Sequence, residues 1–170
     1  MSKNTKIKVV TGLVRFANVH LHKSISLING VPPKYSVTLI IPKSDTKTIE
    51  CINKAYLEVL DLNKSMLSNK LMISYGLRDG DAERDDSIYL DSYFINASAS
   101  EKPGIVDIDL NPLIEANDLY DGCYGRASIT FFPYIVNGRG GIGAGLNNVQ
   151  KLRDGELNQK SISDFADKGK

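Results

Sequence analysis

Residues 123–150 read CYGRASITFFPYIVNGRGGIGAGLNNVQ, and the fold turns on this stretch. Asn137-Gly138 at its centre is a strong hairpin signal, because a tight two-residue turn requires positive φ at both positions. Residues 123–136 then form one strand, and residues 140–150 return beside it. Along the first strand Cys123, Gly125, Ala127, Ile129 and Phe131 fall on one face, small or apolar throughout. Tyr124, Arg126, Ser128, Thr130, Phe132 and Tyr134 fall on the other. Aromatic rings, a guanidinium and hydroxyls on one face suit an exposed single strand of nucleic acid, whose bases stack while its phosphates are held. They equally suit a strand packed under a helix or against another chain.

The returning strand spells Gly-x-Gly-x-x-Gly over residues 138–143, the pattern that brings a backbone close to a dinucleotide pyrophosphate. That chemistry needs a helix after the glycines and an acidic residue on a later strand. Only 25 residues follow Gly145, and Gly145 with the paired Asn147 and Asn148 weakens any helix there. No Gly-Lys-Ser/Thr follows to make a phosphate loop. No nucleotide or other cofactor is expected.

Upstream, residues 6–19 read as a long β-branched strand with a bulge or bend at Gly12. A polar loop over residues 20–34 carries His20 and His22. In residues 34–42, Tyr35, Val37, Leu39 and Ile41 alternate with Lys34, Ser36 and Thr38, which predicts one buried and one polar face. After Pro42 the period becomes helical. Ile49, Ile52, Tyr56, Val59 and Leu60 predict an amphipathic helix over residues 45–60, capped by Ser44 or Asp45, with a weaker one to about residue 72. Residues 76–86 and 97–104 are turn-rich, residues 87–97 read as a strand, and residues 104–114 are extended and broken at Pro112. The result is a mainly β single domain over residues 1–150, with a flexible C-terminal tail over residues 151–170.

Charge is unevenly spread although the net charge is only +1. Residues 1–44 contain Lys3, Lys6, Lys8, Arg15, Lys23, Lys34 and Lys43 and no acid, whereas residues 45–136 hold sixteen of the twenty acids. Such asymmetry makes a polyanionic partner credible, provided the basic strands pair beside the aromatic one. No apolar run is long enough to cross a bilayer and the first residues lack a signal-peptide core, so a cytoplasmic protein is expected. Cys51 and Cys123 read as core residues. The acids Asp79, Asp81, Glu83, Asp85 and Asp86 fail the calcium-loop pattern, because Arg84 and Leu90 stand where Gly and Glu are needed. They read as a solvated turn, and no metal site is expected. Two loop histidines beside Ser24 and Ser26, without a nucleophile signature, give no active site.

Seven segments together resemble the Enc34-type single-stranded DNA-binding proteins of bacteriophages and prophages: VRFANV, PPKYSVTLIIPKSDTKTI, LRDGD, YFINAS, PGIVD, DGCYGRASITFFPY and GIGAGLNNVQKLRDGE. The resemblance spans Val14 to Glu156. It implies an OB-fold-like barrel with one or two inserted helices, non-enzymatic, coating single-stranded DNA during phage replication or recombination in the bacterial host cytoplasm. Its match at YGRASITFFPY supports Tyr124, Arg126, Phe132 and Tyr134 as binding-face candidates. Their chemistry assigns stacking to Tyr124, Phe132 and Tyr134. Phosphate contact falls to Lys6, Lys8, Arg15, Lys34, Arg126 and Arg139. Further partners implied are a second copy in a homodimer and phage replication or recombination proteins. Related phage proteins often end in an acidic tail. Here residues 151–170 carry five bases and four acids, which puts a tail function in doubt. The glycines of residues 138–145 then let the hairpin turn, bend to close the barrel and admit a DNA backbone near Arg139. The alternative is an OB-like interaction module whose aromatic strand forms a subunit or partner interface.

Overall fold

The computed structural model describes residues 6–26, 32–67, 71–72, 76–113 and 115–155. Among these residues nine strands make one sheet: β1 (Ile7–Val10), β2 (Val14–Ile25), β3 (Lys34–Pro42), β4 (Leu71–Met72), β5 (Arg78–Asp79), β6 (Ser92–Ala99), β7 (Gly104–Val106), β8 (Tyr124–Val136) and β9 (Arg139–Arg153). The α-helices described between them are α1 (Thr46–Leu62), α2 (Lys64–Leu67) and α3 (Gly80–Glu83). The path β8-β2-β3-β6-β9 closes on itself because β9 also pairs with β8. That ring of five strands is the OB-like barrel expected from the resemblance.

The β8–β9 hairpin forms as read from the sequence. Asn137 and Gly138 have φ of 52° and 77°, so both central residues are left-handed. Burial along β8 alternates without a break from Gly125 to Pro133, with Gly125, Ala127, Ile129, Phe131 and Pro133 turned inward. The inward face joins Phe16, Leu39, Ile41, Ile95 and Leu146 in the barrel core. One side of that core is closed by α1, which presents Ile52, Ala55 and Val59 at helical spacing. Asp45 caps α1 by accepting from the Thr48 amide at 3.2 Å. The expected bend at Gly12 separates β1 from β2. The Gly12 amide donates to Thr48 Oγ1 at 2.9 Å, and a Cβ there would meet Asp45 Oδ2 at 2.9 Å.

Several expectations need correction. His20 and His22 lie within β2, which runs on to Ile25, and not in a surface loop. The alternation Leu21 inward, His20 and His22 outward explains why a polar-looking segment stays extended. The polar face of β3 is covered at one end. Ile40 packs with Ala17, Ile88, Tyr89 and Phe94 in a second small core outside the barrel, and Thr38 is buried too. Residues 87–97 are a 3-10 turn over Ser87–Tyr89 followed by β6, since Asp86 caps that turn through the Ile88 amide. Cys51 is exposed on α1, while Cys123 is buried as expected. The strand β9 extends to Arg153, and residues 156–170 of the expected tail lie outside the described residues.

Candidate nucleic-acid interface

Strand register fixes which side chains share the outer surface. Lys8 opposes Thr130, Thr130 opposes Gly145, Gly145 pairs with Ser98, Ser98 opposes Ser36 and Ser36 opposes His20. This row crosses six strands, a belt of about 24 Å at the usual strand spacing. Between Lys8 and His20 the side chains of this row are small, hydroxylic or absent, so its centre forms a trough and not a ridge. Two contiguous clefts follow it. The first, about 940 Å³, is lined by Phe132, Tyr134, Gly143, Ser98, Asn96 and Lys34. The second, about 570 Å³, continues past Lys34, Asn96 and Ser98 to Ser36 and His20. In OB barrels it is the face of the second and third strands, with the adjoining loops, that receives oligonucleotides. In this ring those strands are β3 and β6.

The glycines of β9 have a specific purpose here. Gly141 opposes Tyr134 and Gly143 opposes Phe132. A Cβ at Gly141 would lie 2.6 Å from the Tyr134 ring, and one at Gly143 would lie 2.7 Å from the Phe132 ring. Both rings therefore lie down across bare backbone, 6.3 Å apart and tilted at 51°, and both remain half-buried. Tyr56 of α1 packs on Phe131, on the inward face of the same strand.

The residues singled out from sequence divide into groups. Lys34, Phe132 and Tyr134 meet in the first cleft. Lys8 and Lys6 are exposed on and just before β1, which pairs with β8 along Ser128–Phe131. Arg139 is exposed at the hairpin, opposite Val136. Tyr124 and Arg126 lie at the far end of β8, eight and six strand residues from Phe132, or about 26 and 20 Å, with Arg15 of β2 opposite Tyr124. There Arg15 and Arg153 oppose Tyr124 from the two neighbouring strands. Their guanidinium carbons sit 5.2 and 4.6 Å from its ring centroid. Arg15 Nε also donates to the Gly122 carbonyl at 2.9 Å, and Arg126 Nε to the Thr11 carbonyl at 3.0 Å. The basic strands thus do flank the aromatic one, but Tyr124 already carries two cations.

Sequence reasoning passed over Ser36, Asn96, Ser98 and His20, which line the clefts, and Arg153. For Ser36, Asn96 and Ser98 the signal was the same period-two alternation used for β8, present in residues 34–38 and 94–98. Acids reach the first cleft at Asp79 and Glu83, and both are held by cations. Lys43 contacts Asp79 and Asp81 at 2.9 Å each, and these hydrogen bonds keep both carboxyls below their ordinary pKa. Arg78 Nε donates to Glu83 at 2.9 Å. The acidic cluster of residues 79–86 is therefore structural, with Asp79 and Asp86 also capping short helical turns.

Comparison with known proteins agrees with this architecture. Protein p50 of Acyrthosiphon pisum secondary endosymbiont phage 1 is 31% identical over 161 residues, covering 88% of this chain and 85% of its own. The single-stranded DNA-binding protein of bacteriophage Enc34, solved in complex with ssDNA, superposes with a TM-score of 0.72 at 26% identity, covering 89% and 88% of the two chains. The single-stranded DNA-binding protein of bacteriophage T7 shares the fold, with a TM-score of 0.63 at 12% identity over 96% of this chain and 94% of its own. The family model for the ssDNA-binding protein of Enterobacter phage Enc34 matches residues 7–170. The chain is a member of the Enc34 phage ssDNA-binding protein family.

Proposed function

We propose that this protein is a non-enzymatic single-stranded DNA-binding protein that coats DNA with little overall sequence preference during phage replication or recombination. The observation that carries the reading is the belt from Lys8 to His20, a smooth polar trough with two half-exposed rings seated on glycine at one end. It sits in a chain whose family includes a member solved with ssDNA. Bases stack on Phe132 and Tyr134, each ring contributing about 1–3 kcal/mol, while Lys34, Lys8, Lys6 and Arg139 neutralise phosphates. Arg15, Arg126 and Arg153 extend the basic surface at the far end of β8. There Tyr124 acts as a platform for guanidiniums and not for bases.

Because each neutralised phosphate releases counterions, affinity falls steeply with salt. Arg126→Ala lowers the salt slope by about one unit, whereas Phe132→Ala weakens binding with its slope preserved. Fluorescence titration of labelled oligo-dT across a salt series separates these effects. Equal affinity of both variants and the unaltered protein would remove this face from the account. No helix among the described residues is long and apolar enough to cross a membrane. The DNA of a replicating phage places the work in the bacterial host cytoplasm, with phage replication or recombination proteins and a second copy as candidate partners.

A further inference from the structure

The second cleft has features that backbone tracking does not require. Three adjacent strands each contribute one polar side chain to it, and these form a directed hydrogen-bond chain. Asn18 Nδ2 donates to Thr38 Oγ1 at 3.1 Å, and the Thr38 hydroxyl donates to Asn96 Oδ1 at 2.6 Å. Thr38 is buried, so its one hydroxyl proton and its acceptor role fix both amides. At the two ends of this chain stand Asn18 Oδ1, an acceptor, and Asn96 Nδ2, a donor, on two exposed residues lining the cleft.

Backbone geometry supports the placement of Asn18. It has φ of 50°, and β2 shifts register against β3 between Ala17 and His20, so the residue sits on a bulge. Bulges re-aim side chains, and asparagine is among the few non-glycine residues that tolerate this conformation. Around the amides Ile25 and Pro32 give the cleft apolar walls, Ser36 and Ser98 line it as well, and the His20 ring stands at one side. Lys34 stands where the two clefts join. An apolar cavity with a few fixed polar groups is how a planar heterocycle is held and oriented.

We propose that this cleft is a base-reading pocket. One nucleobase splays out of the strand beside Lys34 and enters against His20. It presents a donor to Asn18 Oδ1 and an acceptor to Asn96 Nδ2. The pocket imposes a base preference on one position of an otherwise indifferent footprint. The inference rests on the DNA-binding reading above.

The test compares dT, dC and dA homopolymers of equal length, titrated with the full chain at fixed salt. The unaltered protein is expected to separate the tightest from the weakest by about tenfold, in the range one good paired hydrogen-bond contact discriminates. Asn96→Ala and Asn18→Gly, both at exposed positions, bring the three affinities close together. Lys34→Ala weakens all three alike and keeps their ratio. Stacking differences among bases give modest preferences by themselves. A preference that survives in both asparagine variants therefore overturns the pocket, as does equal affinity in the unaltered protein. Failure to bind any of the three oligomers would instead overturn the function from which the pocket follows.

Discussion

At the scale of single residues, the pairing of glycine with an aromatic ring is the most consequential feature. Phe132 and Tyr134 can lie flat only because Gly143 and Gly141 carry no Cβ. Gly143→Ala is expected to lift the Phe132 ring and reduce ssDNA affinity by about 1–3 kcal/mol, the contribution of one stacked base. The ring is half-exposed and free to swing outward, so the urea midpoint should hardly move. A loss of stability with affinity retained would mean that the glycines serve packing alone. The Asn137-Gly138 dipeptide marked the glycines as part of a hairpin, and they lie within β9 opposite β8. That they form the floor beneath two particular rings was not legible, because it depends on cross-strand register, which pattern alone does not fix. Tyr124 shows the same limit. Its place on the outer face could be read from alternation, but Arg15 and Arg153 beside it come from residues distant in sequence.

Among elements, the β8–β9 hairpin and α1 were legible because their signals are local: a turn dipeptide, a capping aspartate and two distinct periodicities. Gly138→Val tests the hairpin. A β-branched residue at φ of 77° should cost about 1–2 kcal/mol in unfolding free energy, measured by urea denaturation. The end of β2 was misjudged because histidine, lysine and serine outnumber its apolar residues, although Leu21 alone marks the inward face. His22 offers a pH test of this strand. Burial, followed by the Lys102 charge, lowers its pKa below the ordinary 6.5, and its Nε2 is buried without a hydrogen-bond partner. The unfolded chain then binds a proton that the folded one resists. The stability contributed by His22 is fully present above pH 6.5 and declines as the pH falls below it. His22→Gln should flatten the Tm profile over that interval. An unchanged profile would show that other groups govern it.

For the molecule as a whole, the decisive property is a belt that no single segment contains. Six strands contribute one residue each to the row from Lys8 to His20, and closure of the ring brings them together. Sequence patterns identified the polar faces of β3 and β8, and the family resemblance supplied the barrel that joins them to the other strands. The covering of Ile40 and Phe94 by residues 80–91 could not be anticipated, since a half-polar strand gives no sign of a second core outside the barrel. On the reading proposed above, this belt holds single-stranded DNA by phosphate neutralisation and base stacking. The most direct measurement of this is the affinity for oligo-dT and for duplex DNA of equal length, each at two salt concentrations. Tight binding of the single strand is expected, with much weaker binding of the duplex whose bases are already stacked, and a steep loss with salt. Equal affinity for both forms, or single-strand binding indifferent to salt, would contradict it.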